Sequence, residues 1–234
     1  MKVLVIIPAY NEEHTIVGVV DKLKKDCPEA DYIVFNDSSK DNTLKVLDKH
    51  NLNYINLPMN LGIGGGVQTG YKYALEHHYD IAVQIDGDGQ HDTAYLQDVI
   101  EPIEKGEADI VIGSRFIDKE GFQSSALRRF GIRFLSNLIF ICCGMRVNDV
   151  TSGFRAVNKT YIKFYAQHYP QDYPEPEAIV ESALQGARIA EIPVIMKERE
   201  AGTSSIHAWK SVYYMIKVSI SIIICRLSGR RRGK

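Results

Sequence analysis

The chain has 234 residues, with 28 Lys and Arg against 29 Asp and Glu, so its formal net charge is −1. This near-neutral balance excludes the general affinity for nucleic acid that a strongly basic protein has. The length fits one large domain with a short extension. The four cysteines form no CxxC pair and no zinc spacing, so we expect reduced packing cysteines. The first apolar run is short and leads into acidic residues, so no signal peptide is predicted.

Short β-branched runs alternate with longer amphipathic runs through the first half of the chain. This alternation predicts an α/β fold, with a Rossmann-like, mostly parallel sheet flanked by helices. The predicted strands are KVLVIIP (2–8), DYIVFND (31–37), NYINLP (53–58), DIAVQID (80–86) and ADIVIGSR (108–115). The predicted helices are EEHTIVGVVDKLKK (12–25), KDNTLKVLDKH (40–50), GGGVQTGYKYALEHH (64–78) and TAYLQDVIEPIEKG (93–106).

Polar clusters follow four of these strands. They are Asn11-Glu12, Asn36-Asp37, Asp86-Gly87-Asp88 and Ser114-Arg115. Ligands of parallel sheets bind beyond the carboxyl ends of the strands, so the four clusters predict a single site at one edge of the sheet.

The second half of the chain is less regular. It predicts a helix with an apolar face and three arginines over 125–144, and a loop entering a strand over 149–157. A further helix is expected over 176–187 and a further strand over 188–199. No internal repeat or low-complexity linker interrupts the pattern.

A last helix is predicted from about Ile206 to Leu227 and is followed by a basic tail. Its apolar core is far shorter than the roughly 20 residues of a membrane span. We therefore expect an amphipathic interfacial helix, with Trp209, Tyr213 and Tyr214 at headgroup depth and the tail on anionic lipid. The alternative is an ordinary helix docked on the sheet. The expected organisation is a domain over 1–205 and a membrane-associating segment over 206–234, peripheral to the cytoplasmic face of the plasma membrane.

The glycine-rich segment NLGIGGGVQTG (60–70) contains a GxGxxG spacing, but it follows the third strand rather than the first. This position excludes a dinucleotide fingerprint, and the segment has no Gly-Lys-Ser/Thr of a phosphate-binding loop. Glycines there still permit a close approach of the backbone to a ligand, and a helix N-terminus that faces an anion.

The segment QIDGDGQHD (84–92) places carboxylates directly after a strand. Gly87 lets Asp86 and Asp88 approach one hard cation, so the pattern predicts a Mg²⁺ or Mn²⁺ site to which Gln90 adds an amide oxygen. For His91 we expect a supporting or solvent-exposed role, because hard cations prefer oxygen. The alternative for the whole segment is a simple acidic turn.

Five motifs, VIIPAYNEE, NDSSKDNT, NLGIGGGVQTG, QIDGDGQHD and GSRF, resemble those of the family 2 glycosyltransferases of the GT-A fold in order and spacing. The later DVTSGFRA and ER..GTSS segments are similar to those of the polyprenyl-phosphate branch, which includes dolichol-phosphate mannosyltransferase. The resemblance covers nearly the whole chain to about Ser205. It differs at Ile63, where relatives often have a basic residue, and in the paired membrane spans that some relatives append.

The resemblance implies a nucleotide-sugar site and a metal site. The residues of the nucleotide-sugar site would be Pro8, Ala9, Tyr10, Glu12, Asp37, Gly64, Asp86, Gly87 and Arg115. The metal ligands would be Asp86, Asp88 and Gln90. Asp37 would hold the uracil or ribose, although it could instead cap the helix after SKDNT, a role that Ser38 or Ser39 could also take.

Arginines are candidates for phosphate recognition because a guanidinium can grip phosphate with two parallel hydrogen bonds. The candidates are Arg115, Arg129, Arg133, Arg155 and Arg199. The resemblance assigns the acceptor phosphate to Arg129, Arg133 and Arg199. Arg129 and Arg133 are four residues apart and share a helix face, whereas Arg128 is expected in solvent. The alternative is non-specific attraction of a basic face to lipid.

The catalytic residues implied by the resemblance are Asp88 and Asp149. Asp149 could act as a base, orient the acceptor or influence it electrostatically, because a phosphate acceptor is already largely ionised at neutral pH. The alternative is that Asp149 caps its loop through the amides of Thr151 and Ser152.

Together these inferences predict an inverting, Mg²⁺- or Mn²⁺-dependent enzyme that moves a sugar from a nucleoside diphosphate donor, expected to be a UDP-sugar, to undecaprenyl or another polyprenyl phosphate. The expected partners are the donor, the lipid acceptor and the membrane surface, with a small membrane protein or a homo-oligomer as an added anchor, and no nucleic acid. The alternatives are a transferase to a glycan hydroxyl, a non-catalytic nucleotide-sugar-binding subunit and a nucleotidyltransferase.

Overall fold

The computed structural model describes residues 1–118, 120, 126–172, 174–197 and 208–232. Within these residues the strands form one seven-stranded sheet in the order β3-β2-β1-β4-β6-β5-β7. The strands are β1 (Val3–Ala9), β2 (Asp31–Asn36), β3 (Tyr54–Asn56), β4 (Ile81–Gln84), β5 (Ile110–Ser114), β6 (Arg155–Asn158) and β7 (Ile189–Pro193). β6 is antiparallel to β4 and β5, and the other pairs are parallel. The predicted mostly parallel sheet is confirmed.

Helices cover both faces of this sheet. They are α1 (Ile16–Asp26), α2 (Thr43–Lys49), α3 (Gly62–Glu76), α4 (Leu96–Glu104), α5 (Ala126–Cys143), α6 (Lys159–Gln167), α7 (Pro174–Leu184) and α8 (Ala208–Arg232). Alternate residues of a strand point to opposite faces of the sheet. Along β1, Leu4 and Ile6 pack in the core with α3 and α5–α8, and Val5 and Ile7 pack with α1, α2 and α4.

One helix, α6, is absent from the sequence prediction. It begins directly after β6 at Asn158, whose side chain accepts a hydrogen bond from the Tyr161 amide at 3.1 Å. Asparagine is a favoured N-cap residue, so this start signal was present in the sequence. Tyr161 and Tyr165 of α6 are buried against the sheet and α3.

The C-terminal helix α8 buries one face against the protein and exposes apolar residues on the other, and its membrane association stays a prediction. Val218 and Ile222 are fully buried against the core formed with α5 and α7. Its outward residues are 44–58% exposed, namely Ile216, Ile220, Ile223, Ile224 and Leu227. Among the described residues, no helix combines the length and the apolar character needed to cross a membrane. The side chains of Trp209, Tyr213 and Tyr214 lie outside those described.

Candidate active site

Two loops at the carboxyl ends of β1 and β2 are bonded to each other. The Asn11 amide donates to Ser39 Oγ at 3.0 Å, and Asn11 Oδ1 accepts from the Lys40 amide at 2.8 Å. The Glu12 amide donates to Thr43 Oγ1 at 2.8 Å. Asn11 has a positive φ of 60°, which lets the chain turn here. These bonds fix the backbone around Tyr10 and Glu12, where the nucleoside pocket is predicted.

Asp37 joins this region to α3. Its side chain is 4% exposed, and Oδ1 accepts a hydrogen bond from the Leu61 amide at 2.7 Å, directly before α3 begins. The cap at the start of α2 comes instead from Asp41, whose Oδ1 accepts from the Thr43 amide at 2.9 Å. Neither Asp37 nor Ser38 nor Ser39 caps α2, so the predicted alternatives for that cap were wrong.

The glycines of the predicted anion-facing segment lie inside α3, and Gly64 packs against protein. A Cβ on Gly64 would lie 2.3 Å from the carbonyl oxygens of both Pro170 and Gln171. The absence of a side chain therefore serves close contact between α3 and residues 170–171. The contact of Gly64 with the nucleotide-sugar stays a prediction, because this packing concerns only the side of its α-carbon that faces residues 170–171.

The acidic segment after β4 forms a tight turn against the end of β1. A Cβ on Gly87 would lie 3.1 Å from the Pro8 carbonyl oxygen, and the Gly87 carbonyl accepts from Thr15 Oγ1 at 2.8 Å. The Asp86 side chain is 35% exposed, whereas Asp88 is 2% exposed and accepts from the Gln90 amide at 3.0 Å. The turn thus places Gly87, which lies between the two aspartates, beside Pro8 at the carboxyl end of β1.

His91 supports this turn from inside the protein. It is 7% exposed, and its Nδ1 accepts a hydrogen bond from the Asp86 amide at 2.9 Å. Its Nε2 lies 3.6 Å from Asp86 Oδ2, and its ring stacks on Phe154 at 5.3 Å between centroids. Because Nδ1 is an acceptor here, the ring proton of the neutral form belongs on Nε2, on the side of Asp86. Of the two expected roles, the geometry favours support over solvent exposure.

The donor types at this turn fit a hard divalent cation. Asp86 and Asp88 offer carboxylate oxygens and Gln90 a carboxamide oxygen, which are ligands that Mg²⁺ and Mn²⁺ accept. The Gln90 side-chain nitrogen lies 3.4 Å from the Lys197 carbonyl oxygen, to which it donates. Among the described residues, no group of three or more His, Cys, Asp or Glu side chains could hold a metal ion. The metal site at Asp86, Asp88 and Gln90 therefore stays a prediction.

Arg115 and Asp149 form a buried ion pair. Arg115 Nε and Nη2 donate to Asp149 Oδ2 and Oδ1 at 2.6 and 2.7 Å, and the Arg115 amide donates to Oδ2 at 3.1 Å. Thr151 Oγ1 lies 3.3 Å from Oδ1 as a fourth donor. Asp149 is fully buried and Arg115 is 8% exposed. A carboxylate has about four lone-pair sites. Asp149 therefore serves to hold Arg115. This engagement disfavours a role of Asp149 as general base. It also takes the place of the expected cap, in which Asp149 would accept from the Thr151 and Ser152 amides.

A second arginine, Arg155, is fully buried beneath this edge. Its Nη2 donates to the Ser152 carbonyl at 2.8 Å, and its Nη1 lies 3.5 Å from the Glu175 carbonyl. An arginine enclosed in this way ties the loop before β6 to the first turn of α7. The suggestion that Arg155 recognises phosphate was wrong for this reason.

Glu175 is a site residue that sequence reasoning left unassigned. It lies in the first turn of α7, where burial raises the pKa of its carboxyl and Arg155 lowers it. Asp86 raises and Arg115 lowers the same pKa, so Glu175 is electrostatically coupled to both. The available signal was an acidic residue directly before a predicted helix, but the neighbours of Glu175 could not be inferred from the sequence.

Beside the buried pair lies a groove of about 780 Å³ between α5 and the connection to β6. Its lining residues are Phe116, Ile117, Arg129, Ile132, Arg133, Ser136, Asn137, Arg146 and Asn148. Arg129 and Arg133 share this wall as predicted, and Arg128 is exposed and absent from the lining. Arg199 lies outside the described residues. The sequence analysis missed Arg146, because nothing marks this residue except its position three residues before Asp149.

Comparison with known proteins now defines the class. The glycosyl transferase family 2 model matches residues 4–165, and the chain belongs to this family. Its fold matches glucosyl-3-phosphoglycerate synthase from Mycobacterium tuberculosis, with a TM-score of 0.70 at 18% identity over 97% of this chain and 79% of that one. The resemblance drawn from the motifs and the GT-A-like fold are both confirmed.

Two of its relatives are named for polyprenyl-phosphate acceptors. It is 29% identical to an undecaprenyl-phosphate mannosyltransferase of Micrococcus luteus, over 87% of each chain. It is 31% identical to a UDP-N-acetylglucosamine–dolichyl-phosphate N-acetylglucosaminyltransferase of Methanococcus voltae, over 95% of this chain and 98% of that protein. The structure of the M. tuberculosis synthase with Mn²⁺, UDP and glucosyl-3-phosphoglycerate matches with a TM-score of 0.68.

Proposed function

We propose that the protein is an inverting glycosyltransferase that moves a sugar from a UDP-sugar to the phosphate of a polyprenyl phosphate such as undecaprenyl phosphate. One observation carries the proposal. The Arg115–Asp149 pair borders the arginine-lined groove, and the charge of Asp86 in the acidic turn acts on the Arg115 guanidinium. Phe116 of the groove follows Arg115, and Asn148 precedes Asp149. Two anionic substrates could therefore meet at this pair.

On the donor side, the loops after β1 and β2 would hold the nucleoside. Pro8, Ala9, Tyr10 and Glu12 would line the base and ribose, and the Asp37 carboxylate, fixed by the Leu61 amide, would accept hydrogen bonds from the nucleoside. Asp86, Asp88 and Gln90 would hold a divalent ion on the donor diphosphate, where it offsets the charge that develops on the leaving group. Mn²⁺ with UDP in the structural neighbour supports this choice of ion and nucleotide.

On the acceptor side, Arg129 and Arg133 would hold the lipid phosphate, and Arg199 remains a prediction outside the described residues. A phosphate oxygen attacks the anomeric carbon opposite the diphosphate, the bond from that carbon to the diphosphate oxygen breaks, and a nucleoside diphosphate leaves. The acceptor oxygen is already ionised at neutral pH and needs no strong base. This agrees with the engagement of Asp149 by Arg115. The names of the two relatives support a polyprenyl phosphate acceptor.

We propose a peripheral position on the cytoplasmic face of the membrane, because the proposed acceptor is a membrane lipid. The outward face of α8 exposes Ile216, Ile220 and Ile224 while its inner face is buried. The adjacent α5 exposes Phe130 by 71% and Ile141 by 78%. Apolar helix faces beside arginines favour binding to the surface of an anionic bilayer. We keep the division into a catalytic domain over 1–205 and a membrane-associating segment over 206–234 as part of this proposal.

A second candidate is a transferase that adds the sugar to a hydroxyl of a lipid-linked glycan. Glu175 is the observation that favours it, because burial raises the pKa of this carboxyl and it is coupled to Asp86. A carboxylate whose pKa is raised binds a proton more readily and is a better general base.

The experiment that tests the proposal is a transfer assay with Mn²⁺, undecaprenyl phosphate and a panel of labelled UDP- and GDP-sugars. We expect label in the extracted lipid and release of a nucleoside diphosphate with one donor. Label that enters only when a glycan hydroxyl is supplied would support the second candidate. Binding of UDP-sugar without any transfer would favour a non-catalytic subunit, and release of pyrophosphate would identify a nucleotidyltransferase.

A further inference from the structure

The groove beside the Arg115–Asp149 pair has two walls, and only one of them was anticipated. Arg129 and Arg133 belong to α5, whereas Arg146 and Asn148 belong to the connection between α5 and β6. Gly144 ends α5 with a φ of +73°, and this positive φ turns the chain back. Arg146 thereby lines the same groove as the α5 arginines from a separate segment.

Hydrogen bonds fix the spacing of the two walls. Ser136 Oγ of α5 donates to the Val147 carbonyl, and Val147 is 1% exposed. The amide and Nδ2 of Asn148 both donate to Glu191 Oε2, at 2.7 and 2.8 Å. Because Val147 and Asn148 are anchored, the backbone of Arg146 is positioned beside α5, and its guanidinium carbon lies 5.8 Å from the ring centroid of Phe140 on α5.

The chemistry of the lining selects an anion. Three guanidinium groups line the groove, and its described lining residues include no carboxylate. Guanidinium groups bind phosphate oxygens in pairs of parallel hydrogen bonds. A phosphate monoester, with three terminal oxygens and nearly two negative charges, can engage more than two arginines at once.

The rest of the lining selects what the phosphate is attached to. Phe116, Ile117 and Ile132 give the groove apolar walls, and its volume of about 780 Å³ is that of a site for a drug-sized ligand. A lone phosphate fills a small part of such a volume. An apolar chain next to the phosphate would fill the remainder and cover these side chains.

We infer that Arg146 is the third cation of a phosphate monoester site whose apolar walls hold the first isoprene units of the acceptor. The inference rests on the proposed function, which assigns Arg129 and Arg133 to that phosphate, and adds a residue and a wall to it. A lipid acceptor and a soluble phosphorylated acceptor both present a phosphate monoester. Only the lipid acceptor has an apolar chain attached to that phosphate.

The test is calorimetric titration of the full-length protein in mild detergent with farnesyl phosphate, farnesol, glycerol 3-phosphate and UDP. We expect Arg146→Gln to weaken farnesyl phosphate binding by about tenfold or more, as expected for loss of a charge-assisted hydrogen bond, and to leave UDP binding unchanged. Arg146→Lys, which keeps the charge without the planar fork, should lose less. Arg128→Gln is the matched control, because Arg128 lies on α5 outside the groove lining.

Each outcome decides a part of the inference. Farnesyl phosphate binding to Arg146→Gln that equals the wild type or Arg128→Gln overturns the role of Arg146. Glycerol 3-phosphate that binds as tightly as farnesyl phosphate overturns the apolar part. The titration needs no turnover, so a protein that binds farnesyl phosphate through Arg146 but transfers no sugar would contradict the proposed function and leave this inference intact.

Discussion

Asp149 and Arg115 form a bidentate, buried ion pair, with Oδ2 2.6 Å from Nε and Oδ1 2.7 Å from Nη2. The pair joins the end of β5 to the loop that leads into β6, because the Arg115 amide also donates to Asp149. Burial lowers the pKa of the Arg115 guanidinium, but the hydrogen bonds and charge of Asp149, with a smaller contribution from Asp86, raise it above its ordinary value. Arg115 therefore stays charged, and Asp149 supplies its counter-charge beside the groove.

The first prediction concerns this pair. Asp149→Asn keeps the shape of the side chain but leaves a buried guanidinium without its counter-charge. We expect the free energy of unfolding to fall by about 3–5 kcal/mol, the range typical of a broken buried pair. Urea denaturation measures this change. The control is Asp21→Asn on the exposed face of α1, which should change stability by less than about 0.5 kcal/mol.

This variant also distinguishes the roles considered for Asp149. A variant that keeps wild-type stability but loses turnover would contradict a positioning role and restore Asp149 as a candidate base. A variant that is destabilised but regains turnover at lower temperature would support the role of holding Arg115.

The second prediction concerns Gly64. A Cβ there would lie 2.3 Å from two carbonyl oxygens of residues 170–171, which are backbone atoms and cannot rotate away. We expect Gly64→Ala to lower the thermal midpoint, with a loss of about 1–3 kcal/mol from overpacking. Gly18→Ala is the matched control. Gly18 lies inside α1 with nothing within 4 Å of the added Cβ, so this change should stabilise the protein by about 0.5–1 kcal/mol. Equal thermal midpoints for the two variants would contradict the packing role of Gly64.

Much of the fold could be predicted because its signals are local. Apolar alternation along β1 sends Leu4 and Val5 to opposite faces, and a polar cluster follows each main strand. The turn at Asp86 and Asp88 could be located for the same reason, since both carboxylates come directly after β4. The antiparallel pairing of β6 could not be predicted, because the sequence of a short strand does not show whether it will pair parallel or antiparallel to its neighbours.

The parts of the site that could not be predicted depend on distant partners. The carbonyl oxygens beside Gly64 lie more than one hundred positions further along the chain. From the sequence alone, a glycine at position 64 could therefore be explained equally well by contact with a ligand or by packing. Arg155 and Arg133 are both arginines beside predicted functional motifs, yet Arg155 is fully buried and Arg133 is exposed. Only the assembled tertiary structure separates a structural arginine from one that faces a groove.

The third prediction concerns pH and stability at the opposite end of the sheet. Asp109 accepts hydrogen bonds from the Arg188 guanidinium at 2.8 and 3.0 Å and from Asn158 Nδ2 at 2.9 Å. The Arg188 hydrogen bond, with further help from its charge, holds the pKa of Asp109 below the ordinary value of 3.8. A carboxylate with a lowered pKa in the folded state stabilises the protein above the unfolded pKa, and this contribution is lost as pH falls through the folded pKa.

We therefore expect Asp109→Asn to lower the free energy of unfolding at pH 7, by no more than about 1 kcal/mol because Arg188 is 57% exposed. The difference from the wild type should shrink as the pH falls below 3.8. Denaturant titrations at pH 7, 5 and 3 measure it. Glu104→Gln, at an exposed position of α4, is the control and should show no such convergence. A difference that persists unchanged at pH 3 would mean that packing, and not the carboxylate charge, accounts for the loss.

The fourth prediction concerns the acidic turn and tests the metal assignment directly. Asp88 is 2% exposed, and its Oδ1 accepts from the Gln90 amide, so Asp88→Asn keeps the size and much of the bonding of the turn. Removal of one of two carboxylates should weaken divalent-ion binding sharply, since hard cations depend on charged oxygen ligands. We expect turnover with Mn²⁺ to fall at least about 100-fold, while the thermal midpoint without metal stays close to that of the wild type.

Asp98→Asn, an exposed carboxylate in the first turn of α4, is the matched control and should keep full turnover. Manganese binding can be followed without turnover by the paramagnetic relaxation of water protons. We expect the enhancement in the presence of UDP to disappear in Asp88→Asn and to remain in Asp98→Asn. Wild-type Mn²⁺ binding by Asp88→Asn would remove Asp88 from the metal site, and wild-type turnover of the enzyme in EDTA would show that the reaction needs no divalent ion.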